Sequence, residues 1–138
     1  MYCILPVVTL LEEYISELTL DVQIDEFTMK DVQLKLPAIK HKWTGRLMRS
    51  KMSIDDKCRQ KYQLLEKVAE ALIKESPVSL SLPMARKTAE DHCDIRRIHS
   101  EIKELRLVVE FLEKTERTLS SITFDIKNII EIIKLETQ

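Results

Sequence analysis

Hydrophobic residues recur along this chain mostly at steps of three and four, the period of a helical stripe. The longest run lies in the last third. Ile95, Ile98, Ile102, Leu105, Val109, Leu112, Glu116, Leu119, Thr123, Ile126, Ile130 and Ile133 form a heptad seam in which only Glu116 and Thr123 are not aliphatic. Nothing interrupts it, so it predicts one helix over residues 89–135, approaching 70 Å at about 1.5 Å per residue. The β-branched, serine-rich LSSITF is the expected place for a kink. A second apolar row, Val108, Phe111, Ile122 and Ile129, lies beside the seam. One neighbouring helix does not obviously cover both rows, so the excess calls for a partner, most simply other copies of the chain.

A second stripe comes earlier. Ile39, Trp43, Leu47, Ile54, Cys58, Tyr62, Leu65, Ala69 and Leu72 share one face of a helix expected over residues 38–74. Pro37 suits its first position, where a missing N–H costs nothing. Gly45 costs about 1 kcal/mol in mid-helix and marks a soft point. Trp43 and Tyr62 both fall on the stripe and are expected in the core. Residues 75–87, ESPVSLSLPMARK, read as a linker or a partly extended arm, after which Thr88 and Asp91 cap the next helix. Upstream, Thr9 and Glu12 make a capping box for a short helix over residues 10–18. LTLDVQID alternates like an extended segment or loop, and Thr28 with Asp31 caps another short helix that Pro37 stops or restarts. The expected fold is one all-α domain: an acidic segment (1–36), a basic helix (37–74), a linker (75–88) and a coiled-coil-like C-terminal oligomerisation helix (89–138). The two long helices form a hairpin or are exchanged between subunits; the pattern allows both.

Composition agrees and removes several chemistries. One glycine and four prolines suit long helices rather than turn-rich sheets. A single glycine cannot build a P-loop or a dinucleotide fingerprint. MYCILPVV lacks the basic flank of a signal peptide, and no run approaches transmembrane length. Cys3, Cys58 and Cys93 are odd in number and scattered, which suits reduced thiols in a cytoplasm. His92, Cys93 and His99 invite a metal reading, but adjacent helical residues diverge and no second ligand pair accompanies them. Asp55 and Asp56 read as exposed helix acids. No nucleophile–base arrangement is present, so neither an enzyme nor a cofactor is expected.

Charge is divided unevenly. Residues 1–31 carry seven acids and one base, whereas residues 40–67 carry nine bases and three acids. At 100° per residue, Lys42, Arg46 and Arg49 fall within about 60° of one another, opposite the apolar stripe, and Lys57 and Lys61 form an i, i+4 pair. Such rows neutralise phosphates irrespective of sequence. Trp43, His41 and Tyr62 would stack on unpaired bases if exposed. The plainer alternatives are a solvated helix face, or neutralisation by the acidic head within the molecule.

DVQID, LPAIKHKW opening the basic helix, and the closing FDIKNIIEIIK give the chain a likeness over residues 21–135. In these motifs and in the order of its segments it resembles the UvsY recombination mediators of T-even-like phages. The resemblance implies a non-catalytic protein that binds single-stranded DNA as a ring-like homo-oligomer, in the host cytoplasm if phage-encoded. It also implies help to a UvsX-like, RecA-type recombinase in replacing the phage single-stranded-DNA-binding protein. DNA contact would fall to Lys40, Lys42, Arg46, Arg49, Lys57, Arg59 and Lys61. Self-assembly would fall to Leu105, Val109, Leu112, Leu119, Ile126, Ile130 and Ile133. A coiled-coil adaptor, docking its basic helix on an acidic protein, is the alternative.

Overall fold

The computed structural model describes residues 5–138, with side chains from residue 10 onward; Cys3 and the Thr9 cap lie outside the described residues. The fold is all-α: α1 (Leu5–Asp21), α2 (Met29–Glu75), α3 (Leu82–Ala89) and α4 (Cys93–Glu136). Ion pairs and hydrogen bonds join Thr44 to Glu116, Lys51 to Glu113, Lys57 to Glu101 and Lys61 to His99. As one number rises the other falls, so α2 and α4 are an antiparallel hairpin within one chain. α1 lies along one side of it, against both helices. No helix among the described residues is long and apolar enough to cross a membrane.

α2 begins eight residues before the expected Pro37 start of the basic helix, and Pro37 lies inside it. Two local facts explain this. Asp25 and Thr28 form a reciprocal cap: Asp25 Oδ1 accepts from the backbone N–H of Phe27 (2.7 Å) and Thr28 (2.9 Å), and Thr28 Oγ1 accepts from the N–H of Asp25 (3.0 Å). This replaces the expected Thr28–Asp31 cap. Val32 and Leu36 are then buried on the same face as Trp43 and Leu47. Burying two such side chains is worth about 1.5–3 kcal/mol each, enough to offset the roughly 3 kcal/mol cost of an interior proline.

The linker is also more ordered than expected. Ser81 caps α3, its Oγ accepting from the N–H of Met84 (3.4 Å), and Pro83 takes the tolerated early position. Ala85 and Ala89 pack on Ala69 of α2, where small side chains let the helices approach closely. Arg86 forks onto Glu66, with Nε to Oε1 at 2.7 Å. α4 is capped by His92, whose Nδ1 accepts from Asp94 N–H (3.2 Å), rather than by Thr88 and Asp91.

The seam of α4 departs from the strict heptad. Its buried positions are Ile95, Ile98, Ile102, Leu105, Val108, Leu112, Thr115, Leu119, Ile122 and Ile126. Two consecutive steps of three, at 102–105–108, insert three residues into the repeat and rotate the stripe. Glu116 and Thr123 therefore leave the seam, and the second apolar row enters it. Phe111 and Val109 pack against the same core from α4, as do Leu11, Tyr14 and Leu18 from α1. The surplus that called for other copies is thus largely covered by α2 and α1. Buried Thr115 bonds back to the Phe111 carbonyl (2.8 Å), so its hydroxyl is satisfied.

Gly45 has ordinary helical backbone, and a Cβ there would meet only the tip of Arg49, Nη2 at 3.1 Å. That tip is flexible. Gly45→Ala is therefore expected to stabilise the protein by about 0.5–1 kcal/mol in denaturant unfolding. A loss of stability would show that the close approach of Arg49 matters more than helix propensity.

Candidate nucleic-acid interface

The seven bases expected to form one interface divide into three groups. The first lies at the edge of the core. Trp43 is fully buried, and its indole N–H donates to Asp21 Oδ2 at 2.9 Å. The same carboxylate takes the Lys42 ammonium at 2.5 Å, and Lys42 also reaches Glu17 at 3.1 Å. Arg46 forks onto both oxygens of Glu17. Its guanidinium lies 4.8 Å from the ring centres of both Tyr14 and Trp43, and Lys42 lies 5.3 Å from that of Trp43. Tyr14 and Phe111 meet Trp43 edge-on at 5.6 and 6.4 Å. Lys42 and Arg46 are therefore not opposite the apolar stripe. They flank it, because their helical angles fall just beside those of Trp43 and Ile39, on the side where α1 packs.

The second group is half-buried, and two of its three members are paired across the hairpin. Lys57 Nζ reaches Glu101 at 2.6 Å, half-buried. Lys61 Nζ lies 3.1 Å from His99 Nδ1, an arrangement that needs that nitrogen unprotonated. Lys40 is half-buried at the rim of a groove with Thr44, Glu116 and Ser120, and makes no ion pair among the described residues.

The third group faces water. Arg49 is exposed and its Nε donates only to the Gly45 carbonyl (3.3 Å). Arg59 is exposed and meets Asp56 at 2.7 Å, a surface pair worth little. Tyr62, expected in the core, is 63% exposed. It lies at the margin of the stripe, where α4 does not cover it.

The assembly residues divide too. Leu105, Leu112, Leu119 and Ile126 are buried within the chain, Val109 and Ile133 are half-buried, and Ile130 is at the surface. Exposed apolar side chains are spread along the chain; Ile132 and Leu135 lie at the end of α4, Leu20 near the end of α1 and Phe27 just before α2. Cys58 and Cys93 are exposed free thiols. His92, Cys93 and Asp94 place one ligand atom each within 4.8 Å of one another. His92 Nδ1 there already serves as the helix cap.

The sequence does not single out Tyr14, Glu17 or Asp21 for this site, and it places Phe111 only in the second apolar row of α4. A signal for two of them existed. Glu17 and Asp21 are an i, i+4 acid pair, and Lys42 and Arg46 are an i, i+4 base pair. Each pair flanks an apolar stripe, which predicts a facing contact.

No protein-family model, curated protein or solved structure matches the chain.

The clamp has a definite pH dependence. The Arg46 guanidinium holds the Glu17 carboxyl below its ordinary 4.5 against the opposing effect of burial, and Lys42 assists. Burial alone would lower the Lys42 ammonium, but Asp21 and Glu17 outweigh it and raise the group above 10.5. A depressed carboxylate contributes stability that is present above about pH 4.5 and lost as pH falls through its folded value. A raised ammonium contributes stability that is present below about pH 10.5 and lost above its folded value. Acidification below 4.5 is therefore expected to loosen α1 before the hairpin. Emission from Trp43, the only tryptophan, should shift red while most helicity persists. One coincident loss of both signals would contradict this.

Proposed function

We propose that the chain is a non-enzymatic, homo-oligomeric single-stranded-DNA-binding protein acting as a recombination mediator in the cytoplasm. In this role it helps load a RecA-type recombinase onto strands covered by single-stranded-DNA-binding protein. The observation that carries the reading is Tyr62, solvent-exposed, with Lys61 next to it in sequence and exposed Arg59 three residues before it on the same helix. An uncovered aromatic beside cations is what unpaired bases and phosphates need together. Arg49 and Lys67 add exposed positive charge on the same helix.

A few such contacts bind weakly at physiological salt. Several copies joined in one assembly act at high effective concentration on the same strand. Exposed Ile132 and Leu135 at the end of α4 offer apolar surface for that assembly. Leu112 is fully buried, so a polar residue there would unfold the monomer rather than separate subunits.

A specific observation also favours the adaptor reading. α1 already lays two carboxylates on the basic helix, so an acidic helix of another protein could make the same kind of contact.

Binding of an oligothymidylate should fall steeply with salt. Arg59→Ala with Lys61→Ala should lower the log–log salt slope by about 1.4, at roughly 0.7 per single-strand phosphate contact. Tyr62→Ala should cost about 1–3 kcal/mol, the worth of one stacked base. Ile132→Glu with Leu135→Glu should reduce solution mass and affinity together. Affinity that is insensitive to salt and to all three changes would overturn the nucleic-acid reading. Mediator action is tested by recombinase filament formation on strands pre-coated with single-stranded-DNA-binding protein. No acceleration by this protein would remove that role.

A further inference from the structure

We infer that α1 covers a second, latent single-strand site made by Lys42, Trp43 and Arg46, and that a nucleic-acid strand displaces α1 to reach it. The inference rests on the DNA-binding reading above.

The covered surface has the right chemistry. An ammonium and a guanidinium both lie over the Trp43 indole, 5.3 and 4.8 Å from its ring centre. A cation pair beside an aromatic plane holds phosphates and stacks a base. In the closed state this surface already binds anions, and the anions are the chain's own. Glu17 and Asp21 are one helical turn apart and present two negative groups to one face, as successive phosphates do along a strand. Exchange of carboxylates for phosphates leaves both cations paired, so opening does not strand a charge.

The cover is also lightly anchored by its described side chains. None of α1's described side chains is fully buried, whereas α2 and α4 both contribute fully buried core residues. Leu11, Tyr14 and Leu18 are half-buried. Elements with few buried contacts open locally at small cost. Among the described residues, Glu17 and Asp21 add ionic contacts to these, and a polyanion competes for ionic contacts directly. Trp43 keeps Phe111 behind it when α1 leaves, since that contact comes from α4.

The site is distinct from the Arg59–Lys61–Tyr62 surface, and one experiment separates them. The full-length protein is titrated with a labelled oligothymidylate at low salt. Anisotropy of the label reports binding, and emission from Trp43 reports the covered site. Two variants with the same change in net charge are compared, Glu17→Gln/Asp21→Asn and Glu12→Gln/Glu13→Gln. Glu12 and Glu13 are exposed on α1 and outside the clamp. The clamp variant should bind roughly tenfold more tightly than the control variant, with a salt slope steeper by about 1.4 for two further phosphate contacts. In the natural protein, binding should quench Trp43. If both variants bind alike, or if saturating oligonucleotide leaves Trp43 emission unchanged while anisotropy rises, the latent site is wrong and the surface reading stands. If no form binds, both fail. The emission measurement on the natural protein decides the matter even if the clamp variant does not fold.

Discussion

The Trp43 indole N–H on the Asp21 carboxylate is the contact on which the arrangement of this protein turns. A buried indole needs an acceptor for its one donor. Here that acceptor is charged, so it needs cations in turn, and Lys42 supplies one. Lys42 and Arg46 then need a second acid, and Glu17 supplies it. Each group is satisfied only when the others are in place. The position of α1 along the hairpin follows from that closed set, as does the burial of the largest side chain in the core.

The same set explains how a nearly neutral chain can carry a basic helix. Positive charge on α2 is largely answered from within: by α1 near Trp43, and by Glu101 and Glu113 of α4 further along. What remains free is smaller and lies elsewhere, around Arg49, Arg59 and Tyr62. Net charge over a segment therefore overstated the surface available to a polyanion. Ionic cover of this kind is conditional, however. It is sensitive to pH, to salt and to competing anions, whereas the Ile and Leu seam between α2 and α4 is not.

Much of the fold was legible in the sequence, and the errors have local causes. Both long helices follow from their apolar periods. The start of α2 did not, because proline was weighed without the Asp25–Thr28 cap and the two buried side chains that outweigh it. After Leu105 a strict heptad places Leu112, Leu119 and Ile126 correctly but puts Val109, Glu116 and Thr123 where Val108, Thr115 and Ile122 are buried. Glu116 and Thr123 were the sign that the register had changed, since Thr115 and Ile122 one residue earlier fit a buried stripe. α3 was read as a linker because its stripe consists of alanines, which carry little hydrophobic signal. At the candidate site the basic residues are legible, and so is neutralisation by the acidic head as one alternative, but the particular pairing of Lys42 and Arg46 with Glu17 and Asp21 is not. A charge written along a helix does not say which neighbour answers it until the third helix is placed. Tyr62 falls within the apolar period yet lies outside the core, because the buried stripe is narrower at that margin.

Native-state hydrogen exchange at the Trp43 indole N–H tests the central claim most directly. If the contact depends on α1, that proton should exchange in step with the α1 amides, well before the amides of α2 and α4 and far faster than global unfolding allows. An indole proton protected to the level of the hairpin core, with α1 amides already exchanged, would mean that Trp43 is held by the hairpin alone. The ionic set would then be an ornament of the fold and not its organising contact.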